Sequence, residues 1–142
     1  LQGTIPSSLS KLTALRELGF YFNHLKGTIP SSLSELTSLT FLRLYDNDLT
    51  GTMPSSIGRW KSIEHYSVSR NNLSGTIPSE FSNWSNIKAA YFENTDLNGS
   101  MPLCSLNRSF EDLVADCLEV DCPCCEHCCP DKFGEIPPFE YC

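Results

Sequence analysis

Three features are missing from this 142-residue sequence: a long apolar run, a basic stripe, and cysteine in the first 103 residues. No apolar stretch approaches the roughly 18 residues of a transmembrane helix, so we expect no membrane span in this segment. Ten Lys and Arg against 17 Asp and Glu give a net charge of -7, which is not typical of a nucleic acid binder. An N-terminal Met and a signal-peptide pattern are also missing, which indicates either a removed targeting segment or a fragment.

Motifs for catalysis are absent from the sequence as well. It contains no GxSxG or HExxH, and its histidines, His24, His65 and His127, are far apart in the chain. No pattern supplies a nucleophile, a base and an orienting group together. We therefore expect a protein with no enzymatic activity, no cofactor and no metal. Calcium binding by the acidic C-terminal tail is the alternative, although no DxDxDG loop is present.

What the sequence does contain is a repeat of 24 residues. The repeat is marked by Gly3, Gly27, Gly51, Gly75 and Gly99, and by Pro6, Pro30, Pro54, Pro78 and Pro102. Each unit also repeats one set of apolar positions, which in the second unit are Leu33, Leu36, Leu39, Leu42, Leu44 and Leu49. One unit cannot bury this set alone, whereas stacked units share a continuous core. The period therefore predicts a solenoid.

Short alternating segments within the units predict parallel strands. Leu42 and Leu44 would point inward on either side of the outward Arg43, with strands about 4.8 Å apart along the stack. An asparagine follows each of the first three predicted strands: Asn23, Asn47 and Asn71. Their inward side-chain amides can form hydrogen bonds with the backbone of each bend, so the sequence predicts an asparagine ladder along the stack. Thr95 interrupts this column, so we expect the end of the solenoid to begin there.

The segment LTSLTFLRLYDNDLTGTMPSSIGRW resembles the plant-type leucine-rich repeat, whose pattern is LxxLxxLxLxxNxLxGxIPxxLxxL. The resemblance covers residues 1–103 and implies an α/β repeat solenoid, right-handed and curved, with a parallel β-sheet on its concave face. Members of this family include receptor ectodomains, secreted inhibitors of wall-degrading enzymes and adhesion proteins. The sequence pattern GTIPSSLSxLTxL is followed by a tail with paired cysteines. This combination is similar to secreted leucine-rich repeat proteins of diatom-like algae.

Two regions are predicted along the chain. Residues 1–103 would form four full turns and a partial fifth, and residues 104–142 a Cys-rich acidic cap with two Lys and Arg against nine Asp and Glu. Within the cap, SFEDLVADCL at 109–118 predicts an amphipathic helix that begins at a Ser109–Asp112 capping box and covers the end of the stack. Leu1 opens within a repeat, so we expect further turns upstream or another molecule over that end.

All eight cysteines follow the last repeat: Cys104, Cys117, Cys122, Cys124, Cys125, Cys128, Cys129 and Cys142. The tail is rich in proline and poor in apolar residues, so covalent links are the expected means of holding it, and we predict four disulfides with no free thiol. Zinc is the rival interpretation, because Cys125 and Cys128 have a CxxC spacing around His127. A redox site is the third.

Four N-glycosylation sequons accompany the cysteines, at Asn72, Asn83, Asn98 and Asn107. Both signals are typical of the oxidising secretory route. We therefore predict a glycosylated protein located outside the cell or at its surface.

The outward positions of the predicted strands form columns across the concave face. Aromatic and arginine side chains, which are enriched at binding hot spots, are frequent there. The predicted partner-binding residues are Tyr21, Phe22, Phe41, Arg43, Tyr45, Asp46, His65, Arg70, Tyr91 and Glu93. The plainer interpretation is that exposed aromatics merely suit β-structure. A further column, Thr4, Thr28, Thr52 and Thr76, could match an ice lattice, but a single column is weak support.

The function favoured by these observations is recognition of a protein or peptide through the concave face. The first alternative is a structural or adhesive subunit of a cell-surface coat or filament, in which copies of the chain contact one another. The second is an inhibitor of a secreted carbohydrate-degrading enzyme. None of the three involves nucleic acid.

Overall fold

Parallel strands stack along the chain in two sheets, with one strand of each sheet in nearly every 24-residue coil. The computed structural model describes residues 1–116 and 119–125, and for residues 127–129 it describes the backbone alone. The predicted stack of parallel strands is confirmed. Within the described part of the chain, no helix has the length and apolar character needed to cross a bilayer.

The inner sheet lines the predicted concave face. Its strands are β2 (Glu17–Gly19), β4 (Phe41–Arg43), β6 (His65–Ser67), β8 (Ala89–Tyr91), β10 (Asp112–Asp116) and β12 (His127–Cys129). Phe41 lies beside His65 and His65 beside Ala89, so the register follows the sequence period. Ala89 lies beside Asp112, which makes the next step one residue shorter.

The outer sheet and a row of short helices complete each coil. The outer strands are β1 (Gln2–Thr4), β3 (His24–Gly27), β5 (Asp48–Gly51), β7 (Asn72–Thr76), β9 (Asp96–Ser100) and β11 (Val120–Asp121). The helical segments are 3-10 helices: η1 (Ser7–Lys11), η2 (Ser31–Glu35), η3 (Ser55–Arg59), η4 (Ser79–Asn83) and η5 (Pro102–Leu106). A proline precedes each of the first four, because its fixed φ suits the entry to a helical turn.

The core lies between the two sheets and the helices. The predicted inward set of the second coil, including Leu36 and Leu42, is fully buried. Trp60 and Trp84 stack in adjacent coils with ring centroids 6.5 Å apart. The Trp60 indole N–H donates to the Leu33 carbonyl at 3.0 Å, so this large polar aromatic is buried without losing a hydrogen bond. Each coil thus fills the space left by its neighbours.

The asparagine ladder is present as predicted. Asn71 accepts a hydrogen bond from the Leu49 amide at 3.0 Å and donates to the carbonyls of Leu44 and Val68, each at 3.0 Å. In the next coil, the Thr95 hydroxyl donates to the Phe92 carbonyl at 2.7 Å. The ladder therefore joins successive bends through buried groups that would otherwise be unpaired.

The helix predicted for residues 109–118 is wrong. Residues 112–116 form β10, which pairs in parallel with β8, and Leu113 and Ala115 are buried in the core. The edge of β8 presents unpaired backbone groups, and a strand satisfies them where a helix would not. Strand pairing thus continues past the predicted solenoid boundary at Leu103, through β10, β11 and β12. Residues 117 and 118 lie outside the described residues.

Candidate functional site

Outward side chains of the inner sheet, and of the bends that follow it, line a groove of about 440 Å³. Its lining residues are Phe22, Leu42, Arg43, Tyr45, Asp46, His65, Tyr66, Ser67, Ser69, Arg70, Tyr91 and Glu93. Eight of the ten predicted binding residues are among them, and the other two, Tyr21 and Phe41, contact groove residues through their rings. The fold thus brings the predicted residues together, while their binding role stays a prediction.

The aromatic end of the groove consists of Tyr21, Phe22 and Tyr45. The Tyr21 and Tyr45 rings are stacked with centroids 5.0 Å apart, and Phe22 meets Tyr45 edge-on at 5.3 Å. Phe22 is 68% exposed and Tyr21 is 45% exposed. Ring pairs of this geometry hold one another in place, which leaves a preformed apolar surface open to solvent.

The backbone of Phe22 is left-handed, with φ of 52°. Asp46, Arg70 and Asn94 occupy the same position in later coils, with φ between 51° and 55°. The bend after each inner strand therefore imposes this conformation. It costs about 1–2 kcal/mol for most residues and less for Asn or Asp. Phe22 stays 68% exposed despite its edge-on ring contacts, so folding buries little of its side chain, which makes a role in contact with another molecule the better explanation.

The middle of the groove is held by stacked and ion-paired side chains. Phe41 stacks on His65 with centroids 4.7 Å apart, and the Arg43 guanidinium lies 4.9 Å from the Phe41 ring centroid. Arg43 is 3.9 Å from a carboxylate oxygen of Glu17. These side chains are partly exposed, so the ion pair orients Arg43 more than it stabilises the fold.

The acidic end of the groove consists of Glu93 and the nearby Asp116. Glu93 is only 6% exposed, and its Oε2 atom is buried without a hydrogen-bond partner. Burial, and to a smaller degree the nearby Asp116, raise the pKa of Glu93 from 4.5 to about 7, against opposing hydrogen bonds from its own backbone and from Ser69. Burial and the neighbouring Asp112 raise the pKa of Tyr91 to about 12. Negative charge at this end is therefore costly unless a positive group joins it.

Asp112 and Asp116 were missed as site residues because they were assigned to a helix. Asp112 lies beside Ala89 in the sheet, and the Asp116 carboxylate accepts hydrogen bonds from the backbone amides of Asn94 and Thr95 at 3.0 and 3.1 Å. One signal could have revealed them. If the last repeat is allowed to be one residue shorter, both fall in the outward columns of the inner sheet.

The cysteine tail forms two disulfides within the described residues, Cys104–Cys124 and Cys122–Cys125. The Cys104, Cys122 and Cys124 sulfurs lie within 4.8 Å of one another, a grouping that could hold a metal as thiolates. In the disulfide form they are not thiolates, so disulfides account for these residues. The side chains of the remaining predicted disulfide cysteines, Cys117, Cys128, Cys129 and Cys142, lie outside the described residues, as does that of His127.

The four sequon asparagines, Asn72, Asn83, Asn98 and Asn107, are exposed. A glycan could therefore be attached to each without disturbing the core. Glycosylation itself stays a prediction.

Residues 14–36, 38–60 and 67–84 match the family described as Leucine Rich Repeat. The sequence matches no curated protein at a significant level. Among solved structures, it is similar to a plant peptide hormone receptor, RGFR1, in complex with RGF2, with 30% identity and a TM-score of 0.75 over 79% of this chain and 18% of that one.

Two further structures show how widely this fold is used. The Arabidopsis receptor kinase HAESA, in complex with the peptide hormone IDA and the co-receptor SERK1, has 29% identity and a TM-score of 0.72 over 80% of this chain and 20% of that one. A plant ice-binding protein has 28% identity and a TM-score of 0.71 over 81% of this chain and 39% of that one. The chain thus spans less than half of each of these three structures.

The narrower resemblance of the tail to algal proteins stays a prediction. The chain carries leucine-rich repeats and has the leucine-rich repeat fold.

Proposed function

We propose that this chain is an extracellular, non-catalytic module that binds a peptide segment along the groove of the inner sheet. The observation that carries the proposal is the preformed aromatic end, in which Tyr21, Phe22 and Tyr45 pack against one another yet stay open to solvent. RGFR1 and HAESA, two proteins of the same fold, were solved with peptide hormones bound. The disulfides support a location outside the cell.

The size and chemistry of the groove suit a short peptide. Its volume of about 440 Å³ lies within the range of about 300–1,000 Å³ that is usual for ligand sites. Tyrosine and phenylalanine supply large contact areas at a low cost in side-chain entropy, and the groove places them beside charged groups that fix orientation. A peptide would bury the aromatic end and leave the rest of the solenoid unchanged.

The test is selection of random peptides of about 12 residues from a displayed library against the glycosylated, disulfide-bonded protein. We expect selected peptides to bind the Tyr21→Ala/Tyr45→Ala variant at least about tenfold more weakly, as hot-spot aromatics do. Lys26→Ala is the matched control, because Lys26 is exposed on the outer sheet. If selected peptides bind both variants equally well, or if selection yields no binder, the proposal is wrong.

The coat subunit and the enzyme inhibitor remain as alternatives. Sedimentation velocity distinguishes the first, because a coat or filament subunit would assemble with rising concentration. An inhibitor would lower the activity of secreted glycanases in a direct assay. Peptide binding by a monomer without glycanase inhibition favours the proposed function over both.

Ice binding is a second candidate function, favoured by one observation. Thr4, Thr28, Thr52 and Thr76 form an exposed column on the outer-sheet side. Each threonine methyl lies against the glycine of the next coil, so the column is regular and closely packed. Charged neighbours such as Lys26 and Asp48 weaken this candidate. Thermal hysteresis that is lost in Thr28→Lys/Thr52→Lys would support it, and absence of hysteresis in the wild type would reject it.

A further inference from the structure

The two ends of the groove differ in chemistry. The aromatic end is formed by the first and second coils, and the acidic end by the fourth and fifth. Between them, Ser67 and Ser69 occupy the third-coil positions that hold Arg43 and Tyr45 in the second coil. The small serine side chains leave space between the two ends along these two columns, so one ligand can contact both ends.

Glu93 is the least satisfied group in the groove. It lines the cavity, it is 6% exposed, and its Oε2 atom has no hydrogen-bond partner. A buried carboxylate oxygen without a donor loses its interaction with water and gains nothing in return, so such an atom on a residue that lines the groove indicates a site for a donor from outside.

The positive groups of the groove are already engaged elsewhere. Arg70 lies 3.7 Å from Asp46, and Arg43 lies 3.9 Å from Glu17. Lys88, which precedes β8, is 2.7 Å from Glu64. The charge of Arg70 favours the ionised form of Glu93, but less strongly than burial opposes it. The acidic end therefore keeps an excess of negative charge.

We propose that the acidic end binds a basic side chain, Lys or Arg, of a peptide whose apolar or aromatic side chain occupies the aromatic end. The inference rests on the proposed peptide-binding function and specifies the chemistry of the peptide. A guanidinium or ammonium group would donate to Glu93 Oε2, and its charge would also be favoured by the nearby Asp116. Such charge-assisted bonds are about twice as strong as neutral ones and compensate for the burial of Glu93.

The spacing of the coils sets the distance between the two anchor residues of the peptide. Tyr45 and Glu93 occupy equivalent positions two coils apart, which is about 10 Å for strands about 4.8 Å apart. Phe22 lies one coil further away, at roughly 14 Å along the stack. An extended peptide rises about 3.3 Å per residue, so the apolar and basic residues should be three to four positions apart.

The experiment uses acetylated and amidated fluorescent peptides in which Phe and Arg are separated by two Ser or Gly residues. The matched peptide replaces Arg by Gln, and another has a free α-amine in place of Arg, which separates a side-chain cation from an N-terminal one. We expect the Arg peptide to bind at least about tenfold more tightly than the Gln peptide, and this preference to fall to about one in Glu93→Gln. Tyr45→Ala should weaken both peptides together.

Each outcome has one meaning. Equal affinity of the Arg and Gln peptides, with binding still dependent on Tyr45, overturns the basic-anchor inference and leaves the proposed function standing. Affinity of both peptides that is indifferent to Tyr45 overturns the proposed function. Tighter binding of the free-amine peptide than of the Arg peptide overturns the assignment to a side chain. Glu93→Gln should fold at least as stably as the wild type, so its loss of preference cannot be attributed to unfolding.

Discussion

The middle coils and the fifth coil satisfy the same backbone bend by different means. In the middle coils, a neutral amide such as that of Asn71 joins one bend to the previous coil. In the fifth coil, the step is one residue shorter, and the Asp116 carboxylate accepts the amides of Asn94 and Thr95. The disulfide from Cys104 to Cys124 adds a covalent link near the same end. The repeated asparagine amide is thus enough to hold the bend of a coil that has a similar coil on each side. The last coil is held instead by a carboxylate and a disulfide.

This difference also shapes the groove. Its acidic end exists because β10 lies beside β8 and brings Asp116 near Glu93. Its aromatic end belongs to the regular coils, where the repeat dictates only the position of each side chain. Three variants test how far the stability of the middle coils and of the fifth coil depends on core packing, on the disulfide and on the buried carboxylate.

Leu42→Ala should have the largest effect. Leu42 is fully buried between coils, and removal of such a side chain typically lowers the free energy of unfolding by about 3–5 kcal/mol. The control is Leu12→Ala, because Leu12 is 51% exposed and should cost less than about 1 kcal/mol. Thermal and denaturant unfolding measure both. Similar losses in the two variants would contradict a core that is shared between the coils.

Cys104→Ser/Cys124→Ser should have the next largest effect. The bridge closes a loop of 20 residues, and the chain-entropy estimate for a loop of this length is about 3 kcal/mol. Hydrogen exchange should show the loss first in β10, while β4 and β6 stay protected. Uniform loss of protection along the whole stack would show that the two regions unfold as one unit.

Glu93→Gln should raise stability, by an amount that depends on pH. The pKa of Glu93 is raised from 4.5 to about 7, so the folded chain keeps the proton that the unfolded chain loses. The contribution of this group to stability therefore falls as pH rises from about 4.5 to about 7, by at most about 3 kcal/mol, and stays constant above.

Glu93→Gln removes this penalty. The variant should therefore gain stability over the wild type at pH 8 but much less at pH 4. Glu35→Gln, at an exposed position on η2, is the control and should show no such difference between the two pH values. A loss of stability at pH 8 in Glu93→Gln would contradict the strained carboxylate at the acidic end.

Much of the fold could be predicted because the repeat is exact. Residues one period apart, such as Leu42 and Tyr66, must occupy equivalent places in a stack, so the sequence alone predicts the core, the strand register and the asparagine ladder. The groove residues followed from the same alternation. The helix predicted for 109–118 failed because its apolar spacing also suits a strand that is buried on both faces.

The amino-acid sequence by itself determined the solenoid, since equal coils with one shared apolar set have no other way to bury it. Only the tertiary structure decided the chemistry of the groove. Whether Glu93 is a solvated surface charge or a buried carboxylate with one unpaired oxygen depends on the strand that lies beside it, and β10 comes from a segment that breaks the period. The solvation of a side chain depends on the residues that pack around it in the folded chain, and it does not follow from the residue type alone.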